Sequence, residues 1–273
     1  ATLLAALGPR IGRYALVSSI SVYADSRQPN AETAPLAALP AGATADSPVT
    51  GDTYGPLKAL CEAQALALLG PRALLLRPGL IVGPHDPTQR FSYWPARWAR
   101  AATDGQPVLA PGPATAPVQW IDARDLAAWL LHALHVGASG AVNLVVPPGG
   151  CTMADVMTTC AQVAGAAPAL ARWAPGAALQ AQGLAPWQDL PLWLPDDDAH
   201  AAFMAVPSQR AADLGLQCRP LAQTVADTLA WWQGLPVAEQ AFSRAGLAPE
   251  REAAVLAALA ASGQLSEAHA VAT

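Results

Sequence analysis

One lysine occurs in the 273-residue chain, Lys58, and it stands four residues after Tyr54 in the run Tyr54-Gly-Pro-Leu-Lys58. For a lysine placed at random, following one of the four tyrosines at that spacing has a chance of 4/273, about 1.5%. On a helix, residues four apart share a face and their side chains meet. A neighbouring ammonium favours the phenolate, which moves a tyrosine toward general acid-base work at neutral pH. Such a tyrosine can take a proton from a substrate hydroxyl while hydride leaves the same carbon, and nucleotide cofactors carry that hydride. The bland reading, a solvated helix lysine, is weakened by the coincidence of spacing.

Two further runs hold groups of the same kind. Val17-Ser18-Ser19-Ile20-Ser21-Val22-Tyr23 places hydroxyls just past an apolar run, where one could bridge a substrate oxygen and the tyrosine. Serine also suits ordinary turns, so this run is weak by itself. Arg77-Pro78-Gly79-Leu80-Ile81-Val82-Gly83-Pro84 ends a second apolar run, and Gly79 would let backbone approach a ligand closely.

The elements that must position these groups follow from periodicity. Residues 2–8 read as the end of a helix closed by Gly8 and Pro9. Residues 14–18 and 73–76 are short apolar runs, the pattern of strands buried on both faces. Between them, 26–51 lacks periodicity and reads as loop. Residues 54–69 read as a helix with Leu57, Leu60, Cys61, Ala65 and Leu68 on one face and Gln64 at its margin. Strand, helix, strand implies a parallel sheet with a right-handed crossover. The alternation continues with a strand at 118–121 and a helix 124–134 capped by Asp122. A strand follows at 141–146, then a helix opened by a capping box at Thr152–Asp155. Past residue 166 the chain is rich in Pro, Trp and Gly, with helices near 208–214 and 221–232 and a Pro-started helix at 249–261. In ligand-binding α/β sheets the crevice lies outside the carboxyl ends of the strands, which is where the serine and Arg77–Pro84 runs fall.

Composition narrows the function. Hydrophobic residues make up 53% and charged residues 13%, so the chain is no disordered tail. The formal charge of -5 offers no basic surface, so neither nucleic acid nor a membrane is an expected partner. Cys61, Cys151, Cys160 and Cys218 lack the spacing of a disulfide scaffold or zinc site. Asp196-Asp197-Asp198 with His200 reads as a solvated loop, and His132 and His135 lack carboxylate partners, so no metal is expected. No apolar run approaches the ~20 residues of a membrane span, and a cytoplasmic location is the expectation.

Taken together, Ser-Ser-x-x-Val-Tyr at 18–23, Tyr54-x-x-x-Lys58, Arg77-Pro-x-x-x-x-Gly-Pro84, Val118-Gln-Trp-Ile-Asp122-Ala-Arg-Asp125 and the Asn143-Leu-Val run resemble the extended short-chain dehydrogenase/reductase family, the NAD-dependent epimerase/dehydratase group. The resemblance covers about residues 2–262. It implies an α/β fold, a Rossmann-type doubly wound parallel sheet with a smaller C-terminal substrate lobe. The expected division is 1–147 for the nucleotide-binding part (85–117 contributing to the substrate lobe), 148–232 for that lobe and 233–273 for a helical tail. It implies Tyr54 as the catalytic acid/base and Lys58 as the group that binds the nicotinamide ribose and lowers the tyrosine pKa. Ser19 would hydrogen-bond the reacting oxygen, with Ser18 as the fallback. Pro78, Gly79 and Leu80 would line the nicotinamide end, and Asp122 and Asp125 would fix a helix. The cofactor would be NAD or NADP, the substrate a small molecule and the assembly a homodimer.

Two departures from the family pattern shape the expectation. No GxxGxxG phosphate turn occurs in this sequence, and Gly8 and Gly12 stand in the wrong context for one. The reading is therefore of a chain lacking the family's first strands, a fragment inactive alone. The 273-residue chain is expected to bind NAD(P) weakly or not at all, and tight calorimetric binding would refute that reading. Leu80 also stands where nucleotide-sugar enzymes usually carry an asparagine. With Arg90, Tyr93 and Trp94 as an aromatic wall and Ser21 beside the catalytic serine, it leans toward a smaller or more apolar carbonyl or hydroxyl substrate. The expected function is hydride transfer at a carbinol or carbonyl carbon, as in reductases, epimerases and dehydratases. The alternative is a non-catalytic nucleotide-binding or RNA-associated relative acting as sensor or scaffold. The intact Ser19, Tyr54 and Lys58 set and the acidic balance weigh against it.

Overall fold

The computed structural model describes residues 10–267 together with Leu4 and Ala6, so the helix end expected at 2–8 otherwise lies outside the described residues. The elements in chain order are β1 (Tyr14–Val17), α1 (Gly51–Leu69), β2 (Ala73–Pro78), β3 (Leu80–Val82), α2 (Tyr93–Asp104), β4 (Val108–Pro111), β5 (Trp120–Asp122), α3 (Ala123–His135), β6 (Gly140–Leu144), α4 (Met153–Ala164), β7 (Ala171–Ala174), α5 (Gly176–Ala181), α6 (Gln209–Asp213), α7 (Leu221–Gln233), α8 (Pro249–Ala261) and β8 (Ser266–Glu267). They form two compact units. The first comprises Ala1–Ile81, Gln119–Pro148 and Asp198–Cys218, the second Val82–Val118, Gly149–Asp197 and Arg219–Thr273.

The first unit is built on a parallel sheet in the order β1-β2-β6. Tyr14 to Val17 stand opposite Ala73 to Leu76, and Leu74 to Pro78 stand opposite Gly140 to Leu144. Every residue of β2 is buried, as a central strand covered on both faces requires. Its side chains alternate between two cores. Leu74 and Leu76 pack with Ile121, Leu126, Trp129 and Ala133 on one face. Ala73 and Leu75 pack with Leu4, Ala65 and Leu69 on the other. Each fully buried leucine contributes roughly 1.5–3 kcal/mol, so this strand is the anchor of the unit. Asp122 caps α3 as expected: its Oδ1 accepts from the Arg124 backbone N–H at 2.9 Å. Gln119 ties the 198–218 segment to the sheet, its Nε2 donating to the carbonyls of Val146 at 2.9 Å and Val206 at 3.0 Å. β3 and β5 form a separate two-stranded sheet.

The second unit carries a smaller sheet, β4-β7-β8, with β4 parallel to β7 and β8 antiparallel to it. α2 packs on α4 and α7. Trp94 and Trp98 of α2 are wholly buried, and Trp94 Nε1 donates to the Pro191 carbonyl at 2.8 Å. Arg97 and Glu252 form an ion pair at 2.6 Å inside this unit, and Glu252 also accepts from Arg100 at 2.7 Å. The capping box expected at the start of α4 is present: Thr152 N and Oγ1 donate to Asp155 Oδ2 at 2.7 and 2.6 Å. Among the described residues no helix is long and apolar enough to cross a membrane, and no group of His, Cys, Asp and Glu could hold a metal ion. All four cysteines are free thiols, and burial pushes Cys151 up to about 12 and Cys218 up to about 11.

The face of α1 differs from the periodicity reading. The residues turned inward are Thr53, Gly55, Pro56, Ala59, Glu62, Ala65 and Leu69. Leu60, Cys61, Gln64 and Leu68, placed on or beside the inward stripe by sequence, are exposed. The helix is apolar on more than one side, so hydrophobicity alone cannot choose a face. Two tertiary contacts mark the inward face instead: the close approach of Gly55 to the Ser21 backbone and the buried pairing of Glu62 with Arg77.

Candidate active site

The site is assembled at the carboxyl end of β1, inside the first unit. Ser18 continues the sheet, its N–H donating to the Leu76 carbonyl at 2.6 Å. Ser19 then caps a short 3-10 turn, Ile20–Val22, with its Oγ accepting from the Ser21 N–H at 3.1 Å. Ser19 Oγ also donates to Ser21 Oγ at 3.1 Å. Ser18 Oγ is buried and makes no hydrogen bond.

α1 delivers the other two groups. Its start is closed by Thr53, whose Oγ1 accepts from the Thr50 N–H at 2.8 Å and donates to the Pro48 carbonyl at 2.6 Å. Tyr54 lies in the first turn, 37% exposed, so its ring is accessible to a bound molecule. Lys58, one turn on, donates from Nζ to the Val17 carbonyl at 3.0 Å, fastening the helix to the last residue of β1. That ammonium sits 6.0 Å from the centroid of the Tyr54 ring. The sequence spacing therefore does place both groups on one face, beside the strand end that carries the serines.

Two glycines permit this closeness. A Cβ on Gly55 would stand 2.0 Å from the Ser21 carbonyl oxygen, so the helix and the serine turn touch backbone to backbone. A Cβ on Gly79 would stand 2.7 Å from Val145 Cγ1 and 3.7 Å from Ile20 Cδ1, where the ends of β2 and β6 meet the same turn. Pro78 is buried, while Gly79 and Leu80 are half-buried beside it.

Beneath the site lies a charged network that the sequence reading did not identify. Arg77 Nη2 meets Glu62 Oε2 at 2.6 Å and Arg77 Nε donates to Glu62 Oε1 at 3.0 Å, with both side chains almost fully buried. Arg77 Nη1 donates to Tyr23 Oη at 3.1 Å and to the Glu32 carbonyl at 2.9 Å. The Tyr23 hydroxyl donates in turn to Asn143 Oδ1 at 2.5 Å. Asn143 Nδ2 donates to the carbonyls of Asn30 at 3.0 Å and Pro207 at 3.1 Å, and its N–H donates to Glu32 Oε1 at 3.0 Å. Burial raises the Tyr23 pKa, and the Arg77 contact opposes that rise, so this phenol stays protonated as a structural donor. The signal available in the sequence was Glu62, a carboxylate one turn past Lys58 on a helix otherwise apolar at those positions.

The expected substrate residues divide. Ser21 is in the first unit, half-buried and bonded to Ser19. Arg90, Tyr93 and Trp94 belong to the second unit. Tyr93 and Trp94, expected on an aromatic substrate wall, are core residues, 2% and 0% exposed. They begin α2 rather than a loop, and Tyr93 packs edge-on against Trp94 and Phe242. Arg90 Nε donates to the Trp187 carbonyl at 3.3 Å.

Comparison with known proteins bears on these features. The model of the NAD dependent epimerase/dehydratase family matches residues 1–146, just over half of the chain. No curated protein matches. Among solved structures, RMD from Pseudomonas aeruginosa, complexed with NADPH, aligns with a TM-score of 0.57 at 17% identity over 85% of this chain and 69% of that one. dTDP-glucose 4,6-dehydratase from Bacillus anthracis, in complex with NAD, gives 0.55 at 14% identity over 85% and 65%. UDP-glucuronic acid 4-epimerase from Bacillus cereus, in complex with NAD, gives 0.53 at 14% identity over 84% and 63%. The chain thus spans roughly two thirds of the length of these structures, and at such identities the likeness is one of fold, mixed α/β of Rossmann type.

Proposed function

Since the chain belongs to the NAD dependent epimerase/dehydratase family, we propose that Ser19, Tyr54 and Lys58 are the acid-base set of a hydride-transfer enzyme acting at a carbinol or carbonyl carbon. The observation that carries the reading is the meeting of Lys58 Nζ with the last carbonyl of β1, beside Ser19 and on the face that bears Tyr54.

The residues fit the nicotinamide end of a dinucleotide. Ser18 Oγ is a buried hydroxyl with no partner at the strand end; Lys58 bonds the carbonyl of the residue before it, and Gly79 lies near Ile20 two residues after it. NAD or NADP, when bound, would accept or supply the hydride. The sequence holds no Gly-rich turn to receive the pyrophosphate, so these residues account for one end of the cofactor only.

In this mechanism Tyr54 takes the proton of the substrate hydroxyl during oxidation and returns it to the carbonyl oxygen during reduction. Lys58 holds its charge 6.0 Å from the centre of the Tyr54 ring and ties the helix that carries both residues to the end of β1. Ser19 donates a hydrogen bond to the reacting oxygen, giving up its bond to Ser21 to do so. The neighbouring contact of Gly55 with Ser21 keeps the two hydroxyl-bearing segments in register.

The test is Tyr54→Phe in a form of the protein that binds the dinucleotide, assayed with NAD and NADP against secondary alcohols and nucleotide-sugars. Removing a positioned general acid/base costs about 10²-fold or more in turnover. Turnover equal to the parent would overturn the assignment of Tyr54. Lys58→Met is expected to weaken turnover as well, because it removes the bond that fastens the first turns of α1 to the last residue of β1.

A further inference from the structure

Among the described residues, both hydrogen bonds of the Ser19 hydroxyl run to one residue, Ser21. The Ser19 oxygen accepts from the Ser21 N–H at 3.1 Å, and its hydrogen is donated to Ser21 Oγ at the same distance. Ser19 is 8% exposed, so little solvent competes for that hydroxyl. Ser21 is fixed from its other side as well. Its carbonyl oxygen lies against Gly55, the residue that follows Tyr54 on α1.

A serine hydroxyl has one hydrogen to give and two lone pairs to receive. In the free protein the hydrogen of Ser19 is engaged by Ser21 Oγ. A reacting oxygen that arrives at Ser19 needs that hydrogen. The bond to Ser21 survives its transfer, because Ser21 carries a hydrogen of its own. Rotation about the two Cβ–Oγ bonds reverses donor and acceptor at an unchanged 3.1 Å, with no heavy atom moved and no covalent bond made or broken. Ser19 then accepts twice, from the N–H and the O–H of Ser21, and its one hydrogen is free for the reacting oxygen.

We propose that Ser21 is a positioning residue, a hydroxyl that turns to donate to Ser19 and so aims the Ser19 hydrogen at the reacting oxygen. Expected from sequence among the substrate residues, Ser21 acts through Ser19 instead. Two donors on one oxygen polarise its hydroxyl, and a polarised donor counts most where charge develops on the reacting oxygen. The effect therefore falls on turnover more than on substrate affinity. The proposal rests on the hydride-transfer reading for the role of Ser19, while the hydroxyl pair itself is observable without turnover.

The experiment has two arms. In the 273-residue protein, serine labelled with carbon-13 at Cβ is observed by NMR in equal parts of light and heavy water, where a slowly exchanging hydroxyl gives two Cβ lines. Two lines for Ser19 are expected in the parent and in Ser21→Thr. They should merge to one in Ser21→Ala, which circular dichroism would show to be folded. In a dinucleotide-binding form, Ser21→Ala is expected to lower turnover about three- to tenfold, the worth of one neutral hydrogen bond, with KM nearly unchanged. Ser21→Thr is expected to restore it. Ser19→Ala combined with Ser21→Ala should fall no further than Ser19→Ala alone. A Ser19 hydroxyl equally slow in Ser21→Ala would overturn the proposal, as would an effect of Ser21→Ala that persists without Ser19. Full turnover in Ser21→Ala beside a large loss in Ser19→Ala would overturn it alone, whereas full turnover in Ser19→Ala would remove the hydride-transfer reading beneath it.

Discussion

Replacing Glu62 with alanine is expected to cost about 3–5 kcal/mol of folding stability, the loss seen when one partner of a buried ion pair is removed. The cost arises less from the lost attraction than from what stays behind. Arg77 is 4% exposed and Glu62 1%, so in the variant a guanidinium remains in the interior with its three hydrogen bonds to the Glu62 carboxylate gone. Its remaining donations, to Tyr23 Oη and the Glu32 carbonyl, leave the charge itself unopposed. Denaturant titration of the parent and the variant would measure the difference through the shift in midpoint at constant slope. A difference below about 1 kcal/mol would show that the pair is solvated rather than buried. Glu62→Gln keeps an acceptor for Arg77 and should fall between the two. The double variant Glu62→Leu with Arg77→Met removes both charges and should recover much of the loss. It should not recover all, since Tyr23 and the Glu32 carbonyl lose a donor.

The same network explains why this site has a fixed geometry at all. Glu62 belongs to the helix that carries Tyr54 and Lys58, Arg77 to the central strand, and Tyr23 closes the turn that begins at Ser19. One guanidinium thus joins the helix, the strand and the serine turn, and through Glu32 and Asn143 it also holds the loop that follows. In the Glu62→Ala protein, amide exchange at Ile20–Tyr23 should accelerate before exchange in β2, because the turn has lost its support while the sheet ladder is intact.

Much of the fold was legible wherever its signals are local. Residues 73–76 are apolar without interruption, which only a doubly covered strand tolerates, and they form β2. Asp122 and the Thr152–Asp155 pair carry their own capping chemistry within three residues. Pro249 begins α8 for the same kind of reason. The sheet of the second unit resisted because it is non-local: β4 and β7 pair Val108 with Ala171, across more than sixty residues, and neither strand is long enough to announce itself. Tyr93 and Trp94 were expected on a substrate wall because the run after Pro84 is aromatic with one arginine. Their burial depends on how α2 packs against α4 and α7, a tertiary arrangement that no local pattern fixes although both helices are expected from the sequence. In the site, Tyr54, Lys58 and the serines were readable from residue type and spacing. Glu62 was not, because its partner lies fifteen residues away on a strand and its role exists only once both are buried.

A second large effect is expected at Gly55, and its sign runs against ordinary helix propensity. In an exposed helix interior, glycine to alanine stabilises by roughly 0.5–1 kcal/mol. Here the added Cβ would lie 2.0 Å from the Ser21 carbonyl oxygen and 3.0 Å from its carbonyl carbon. Those are backbone atoms, which cannot rotate aside as the end of a flexible side chain would. Either the serine turn moves away from α1 or the first turn of the helix unwinds. The first is resisted by the donation of Tyr23 to Asn143 and by the Ser18 N–H bond to Leu76, the second by the Lys58 bond to Val17. Gly55→Ala should therefore destabilise by about 3 kcal/mol, the upper part of the range for overpacking. Gly51→Ala is the control, since it lies in the same helix with nothing within 4 Å of an added Cβ. Thermal melting of the two variants separates propensity from contact: equal stability in both would refute the close approach. The contact also makes a functional claim, because Gly55→Ala leaves Ser19, Tyr54 and Lys58 chemically intact while spreading the segments that carry them. Hydride transfer in a dinucleotide-binding form should then fall further than the loss of folded protein accounts for, whereas Gly51→Ala should leave it unchanged.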